Sequence, residues 1–456
     1  MTPTAPSPFA VRGIVEGFYG NPWTHEQRLE LLGFMASRGL NTFVYTPKDD
    51  PLVRRAWRAP YEGRELRRLN ELVNRALATG VDFVFCVSPG LSMRYSDESD
   101  LDALTSKFAS VEALGVQAFG LLFDDIPREL QHVEDRGAFD TLADAHVSVA
   151  NHVADRLGQR TRLIVCPTVY SGYGTEEYVA ILGAGLEPGV DIFWTGRASC
   201  SPALDVGDAA VFERAARRPA TYWDNYPVND EAMGFELHIG PYRGRDPHLF
   251  RHAFGVVANG MELYEASKIP FATIADYLAA PETYDPERSW RRAIRDVVGD
   301  ADLDAFLLFA DNVRSSCLSP DDAPVVTRAL ESFAFRLDQG EARAAAIDLA
   351  TLADQLIDAA DHLLRGPVEH TALIAECRPW IEAFETGAQA MRRIAELAAN
   401  GRLERDARTA LRPFLVRLRN ARVRVFGNAL DRTLADLTDT HVRPGSLTLD
   451  EPGAGG

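Results

Sequence analysis

Ala118-Phe119-Gly120-Leu121-Leu122-Phe123 runs directly into Asp124-Asp125. Uncharged and apolar throughout, the run reads as a strand buried on both faces, as in parallel sheets. Working outward, runs of the same kind precede it at Gly13–Phe18, Asn41–Tyr45 and Asp82–Val87. Others follow it at Leu163–Cys166, Asp191–Trp194, Ala220–Trp223 and Gly255–Ala258. Between them lie amphipathic helical stretches such as His25–Arg38, where Leu29, Leu32 and Met35 share a face. Eight strand–helix units in about 270 residues predict an α/β fold of the (β/α)8, TIM-like barrel type over residues 10–280. An open doubly wound sheet competes, but it has fewer strands as a rule, and no glycine-rich dinucleotide turn follows the first run.

After Pro281 the period changes. Ile294, Val297 and Val298, then Leu303, Phe306, Leu307 and Ala310, repeat at helical spacing. Leu349, Leu352, Leu356 and Leu363 approach a heptad seam, and Ile394 and Leu397 continue the pattern. Residues 282–440 therefore read as an all-α helical bundle domain, with turns at Ser319-Pro320 and Gly366-Pro367. Residues 1–9 and 441–456 are expected to be disordered.

Of the 456 residues, 46% are hydrophobic and 25% charged, an ordinary globular balance. With 48 Lys+Arg against 66 Asp+Glu, the net charge of −18 offers no electrostatic footprint for nucleic acid or anionic membrane. No apolar run reaches the length of a membrane span, and the first ten residues lack the features of a secretory signal. Cys86, Cys166, Cys200, Cys317 and Cys377 form no CxxC pair, so buried thiols in a reducing compartment, the cytoplasm, are expected.

Barrels of this type carry their chemistry at the C-terminal ends of the strands. Those ends bear Glu16, Tyr19 and Asn21; Lys48, Asp49 and Asp50; Asp124 and Asp125; Thr168 and Tyr170; Trp223, Asp224, Asn225, Asn229 and Asp230; and Asn259. Histidine is missing there, which argues against a binuclear His-x-His metal site. Asp124 and Asp125 are the sharpest feature. Burial and mutual repulsion should separate their pKa values, leaving one ionised while the other holds a proton. A helix cap or surface turn would also explain an Asp-Asp pair, and a carboxylate pair equally suits magnesium. Two acids on one strand end straddle a glycosidic bond poorly, which favours chemistry in which the substrate supplies its own nucleophile.

Gly13–Gly20 with Pro22-Trp23, Tyr45–Asp50, Ser88-Pro89-Gly90, Leu122–Ile126, Cys166–Thr168 with Tyr170, Trp194–Gly196, Trp223–Asn225 with Asn229-Asp230, Gly240–Tyr242 and Asn259–Lys268 together resemble glycoside hydrolase family 84. That family comprises β-N-acetylglucosaminidases, including the protein O-GlcNAcases. The resemblance implies retaining hydrolysis of terminal β-linked GlcNAc through an oxazoline formed by the sugar's own acetamido group. No cofactor or metal is implied; the partners would be β-GlcNAc glycosides, including O-GlcNAc-modified proteins or peptides.

Carried over by position, Asp124 would orient and polarise the acetamide, and Asp125 would act as general acid and then base. Tyr170 would donate near the anomeric centre, although its position also suits a packed rim aromatic. Gly13, Lys48, Trp223, Asn225, Asp230 and Asn259 would bind the sugar. Turn roles for Asn225 and Asn259, a core role for Trp223 and a solvated ion pair of Lys48 with Asp49 or Asp50 compete. Two whole-protein alternatives also stand: a non-hydrolytic GlcNAc-binding or scaffold protein, and a magnesium-dependent barrel enzyme.

Overall fold

The computed structural model describes residues 7–158, 161–427 and 429–438. Eight parallel strands close into one barrel in chain order: β1 (Val11–Glu16), β2 (Thr42–Tyr45), β3 (Asp82–Val87), β4 (Ala118–Leu122), β5 (Arg162–Cys166), β6 (Val190–Trp194), β7 (Ala220–Asp224) and β8 (Ala253–Asn259). The closure is the pairing of β1 with β8, where Val11 opposes Gly255 and Val15 opposes Asn259. The α/β barrel is thus observed.

Alternation along each strand sorts the core into two shells. Val11 and Val15, Val44, Val84 and Cys86, Ala118 and Leu122, Ile164 and Cys166, Phe193, Trp223 and Val257 fill the interior. The residues between them face outward under the helices, as Phe119 does against Phe108, ring centroids 4.9 Å apart. The helix expected at His25–Arg38 spans His25–Ser37, and it buries Leu31, Leu32 and Met35 while Leu29 is only half-buried.

The chain divides into two compact units. One holds the barrel, with the described residues up to Val228, Tyr242–Tyr264 and Phe271–Pro286. The other takes Asn229–Pro241, Glu265–Pro270 and the described residues from Glu287 onward. A single cut near residue 281 is therefore too simple. Asn229–Pro241 is bound into the helical unit because Trp380 Nε1 donates to Phe235 O at 3.1 Å, Trp290 Nε1 to Ile239 O at 2.7 Å, and Arg424 Nη1 to Glu236 Oε1 at 2.9 Å.

Within the helical unit the long helices Ala342–Arg365 and Thr371–Ala399 pack along one another. The first buries Leu349, Ala353, Leu356, Ala360 and Leu363, so the heptad seam runs through Ala353 and leaves Leu352 at its edge. Of the segment 1–9, residues 1–6 lie outside the described residues, but Ser7 Oγ donates to Leu278 O at 2.6 Å and Phe9 is buried. The tail 441–456 also lies outside them. Cys86, Cys166 and Cys377 are buried free thiols, whereas Cys200 and Cys317 are half-buried. Among the described residues no helix is long and apolar enough to cross a membrane.

Candidate active site

The alternation that points Ala118 and Leu122 into the barrel does the same for Asp124, two residues farther on. Asp124 sits at the mouth of the interior, its side chain 8% exposed. Asp125 leaves the strand with φ +52°, a left-handed conformation unusual for a side-chain-bearing residue, and its side chain is 34% exposed. Two consecutive acids thereby reach different surroundings.

Lys48, just past β2, is the cation between them. Its Nζ lies 2.5 Å from Asp124 Oδ2 and 3.6 Å from Asp125 Oδ2. The lysine is therefore not a solvated partner of its chain neighbours. Asp124 Oδ1 is buried, and among the described residues no donor reaches it. Asp125 accepts from Tyr19 OH at 2.7 Å and from Tyr170 OH at 3.2 Å. Ser199 Oγ in turn lies 3.2 Å from the Tyr170 hydroxyl.

Burial works to raise the Asp125 carboxyl, but Lys48, the two phenols and Arg54 outweigh it and hold the group below the ordinary aspartate range. Asp125 is therefore not the proton-bearing member that burial and repulsion alone would produce. The physical reason is the cation placed at the pair.

Across the mouth, Trp223, Asn225, Asn259 and Gly17 form one hydrogen-bonded chain. Asn225 Oδ1 accepts from Trp223 Nε1 at 2.9 Å and from Asn259 Nδ2 at 3.0 Å, and Asn225 Nδ2 donates to Ser199 O at 2.9 Å. Asn259 Oδ1 accepts from Gly17 N at 3.1 Å. Trp223 belongs to the interior core, its ring edge-on to Phe193.

Asp124, Asp125, Lys48, Tyr170, Trp223, Asn225 and Asn259 all stand at this rim. Gly13 does not: it lies inside β1, three residues or about 10 Å before the strand's C-terminal end. A Cβ there would meet Thr42 O at 2.4 Å and Val257 Cγ1 at 2.8 Å, so its smallness serves barrel closure. The glycine of that motif that reaches the rim is Gly17, where a Cβ would meet Trp223 Cζ2 at 2.3 Å. Asp230 falls in Asn229–Pro241, within the helical unit, just before the short turn Glu231–Met233.

Sequence reasoning noted Tyr19 as a strand-end residue without assigning it to the site, and it missed Arg54 and Ser199. Tyr19 lies in the Gly-Phe-Tyr-Gly stretch after β1 and had that signal. Arg54 and Ser199 sit deep in loops, where no periodicity marks them. Among the described residues, no group of three or more His, Cys, Asp or Glu is arranged to hold a metal ion.

A closed (β/α)8 barrel with paired acids, phenols and amides at the C-terminal ends of its strands places the chain in the TIM-like barrel class, with its candidate chemistry at that rim. A family profile described as β-N-acetylglucosaminidase matches residues 12–311, and the chain belongs to that family, glycoside hydrolase family 84. The protein O-GlcNAcases of Rattus norvegicus and Mus musculus are each 34% identical to it over 271 residues, 58% of this chain and 29% of theirs. The chain thus spans about 29% of the length of these curated relatives. Among solved structures, an Asp-to-Asn mutant of the Thermobaculum terrenum O-GlcNAc hydrolase is 36% identical, with TM-score 0.90 over 94% of this chain and 95% of that one. CpGH84B is 26% identical, with TM-score 0.85 over 95% of this chain and 77% of that one.

Proposed function

We propose that the protein is a retaining β-N-acetylglucosaminidase that uses the substrate's 2-acetamido group as nucleophile. The observation that carries this reading is the asymmetry of Asp124. Its Oδ2 is taken by Lys48, while its buried Oδ1 has no donor among the described residues, and a buried carboxylate oxygen of that kind calls for an N–H. An acetamide N–H delivered there gains carbonyl nucleophilicity, and the positive charge developing on the amide faces a fixed anion.

In the first step the carbonyl oxygen bonds to the anomeric carbon as the bond to the aglycone breaks. The electron pair leaves with the aglycone oxygen, which takes a proton from Asp125. A sugar and aglycone seated over the exposed part of Asp125 would remove water and strengthen the burial that raises its pKa, preparing it as acid. In the second step water adds to the anomeric carbon and gives its proton to Asp125, and the oxazoline C–O bond opens to restore the acetamide. Tyr170 donates at the rim, and the Trp223–Asn225–Asn259 chain supplies a fixed wall with polar edges. Fixing the acetamide in attack geometry removes much of the entropic barrier.

The substrates we infer are β-GlcNAc glycosides, including O-GlcNAc-modified proteins or peptides, the class that the names of the relatives print. Five cysteines, none of them in a disulfide among the described residues, suit the cytoplasm as the place of action. Lys48 already compensates the carboxylates, which favours this reading over magnesium held by Asp124 and Asp125.

The test compares Asp124→Asn and Asp125→Asn on aryl β-GlcNAc substrates with good and poor leaving groups. Asp124→Asn should lose nearly all turnover on both. Asp125→Asn should keep far more on the good leaving group, which needs little protonation. Equal losses on the activated substrate, or a product of inverted configuration, would overturn the assignment. Binding of GlcNAc without any release of aglycone would favour a non-hydrolytic sugar-binding protein.

A further inference from the structure

Arg54 lies in the loop Pro47–Tyr61 and makes two contacts that converge on Asp125. Its Nη1 donates to Tyr19 OH at 2.8 Å, and its Nη2 donates to the backbone oxygen of Asp125 at 3.3 Å. A guanidinium has no acceptor. The single phenolic proton of Tyr19 therefore cannot point back at Arg54, and it lies on Asp125 Oδ2 at 2.7 Å. One cation thus fixes both the main chain of a residue in a left-handed conformation and the direction of the hydrogen bond to its carboxylate.

The loop is built to keep Arg54 there. Lys107, itself buried, donates to Leu52 O at 2.5 Å, Trp57 O at 2.8 Å and Ala59 O at 2.8 Å, bracketing Arg54 in the chain. Ser88 N holds Val53 O at 2.8 Å. On the other side, Asp50 Oδ2 accepts from Tyr45 OH at 3.0 Å and Tyr61 OH at 2.8 Å.

We propose that Arg54 is a positioning residue for Asp125, holding it through its carbonyl and through Tyr19 in the ionised, water-activating form that the second half of the reaction needs. This rests on the reading of Asp125 as acid and then base. The charged and titratable groups around Asp125 are Lys48 from the β2 end, Tyr19 from the loop after β1, Cys166 at the end of β5, Tyr170 from the loop after β5, its neighbour Asp124, and Arg54. Lys48 makes its short contact with Asp124, so the groups directed at Asp125 itself are Tyr170, through its own hydroxyl, and Tyr19 as oriented by Arg54.

The experiment is the pH dependence of kcat on an activated aryl β-GlcNAc, where the base step is exposed, and of kcat/KM on a poor leaving group, where the acid step is. Wild type, Arg54→Met, Arg54→Gln and Arg54→Lys are compared, with Asp125→Asn in parallel. Without the guanidinium Asp125 protonates more readily. The acid-side limb of kcat in Arg54→Met should move up by about half to one pH unit, a ~3- to 10-fold loss on the limb that recovers at higher pH. The basic limb of kcat/KM should move the same way, and Arg54→Lys should fall between Met and wild type. Arg54→Gln carries the comparison if Arg54→Met does not fold. Limbs that stay in place, or a uniform loss at every pH, would overturn the inference. Wild type without hydrolysis, or Asp125→Asn fully active on both substrates, would instead overturn the reading on which it rests.

Discussion

Replacing Lys48 with Met tests whether the acid pair depends on a buried cation. Lys48 and Asp124 expose 6% and 8% of their side chains, with 2.5 Å between Nζ and Oδ2. At an effective dielectric of about 20, two unit charges at that distance attract by roughly 7 kcal/mol. Desolvation takes back a large part, and removing one partner of such a buried pair costs about 3–5 kcal/mol because the other charge is left uncompensated. Lys48→Met strands Asp124 with neither oxygen partnered, since Oδ1 already has no donor among the described residues. Asp124→Asn strands Lys48 less completely, because Asp125 Oδ2 stays 3.6 Å away. The single variants should therefore lose about 3–5 and about 1–3 kcal/mol, and the double variant should recover roughly 0.5–3 kcal/mol relative to their sum. Urea denaturation followed by tryptophan fluorescence and circular dichroism measures all four proteins. Lys48→Met within 1 kcal/mol of wild type, or losses that add within about 0.3 kcal/mol, would refute the buried-pair reasoning.

Two further outcomes follow from particular contacts. Gly17→Ala would set a methyl 2.3 Å from Trp223 Cζ2 and disturb the Gly17 N–Asn259 link, so a loss of about 1–3 kcal/mol in denaturant stability should accompany a raised KM for GlcNAc glycosides; an unchanged KM would argue against a rim role for that glycine. Glu376 accepts from Glu265 N at 3.1 Å and Ala266 N at 2.9 Å, yet burial pushes its carboxyl up to about 6 from 4.5. The folded form then binds the proton more tightly than the unfolded chain, so this group's contribution to stability falls as pH rises from about 4.5 to 6. Stability of Glu376→Gln relative to wild type should shift in favour of Gln across that window, and a flat difference from pH 4 to 7 would contradict it.

What the sequence disclosed and what it concealed separate along one physical line. Burial on both faces leaves its mark on every residue of a strand, so all eight barrel strands were visible and their ends were placed within a few residues. The two-residue period then carries Asp124 to the barrel mouth, and no loop geometry is needed to predict it. Asp125 escapes that logic because its backbone turns left-handed one residue later. Its charge state depends on Lys48, Tyr19, Tyr170 and Arg54, drawn from three other loops, and no local pattern encodes their convergence. Gly13 and Gly17 show the same limit from the other side. Both glycines sit in one motif, and only the neighbours a Cβ would strike reveal that the first closes the barrel and the second admits Trp223 at the rim. The segment Asn229–Pro241 looked like barrel sequence because it lies between β7 and β8. Its backbone carbonyls are instead held by Trp290 and Trp380, residues that appear at least fifty positions later in the chain. Tertiary hydrogen bonds from distant tryptophans leave no trace in the segment they hold, and for that reason a domain boundary drawn along the chain assigned it to the wrong unit.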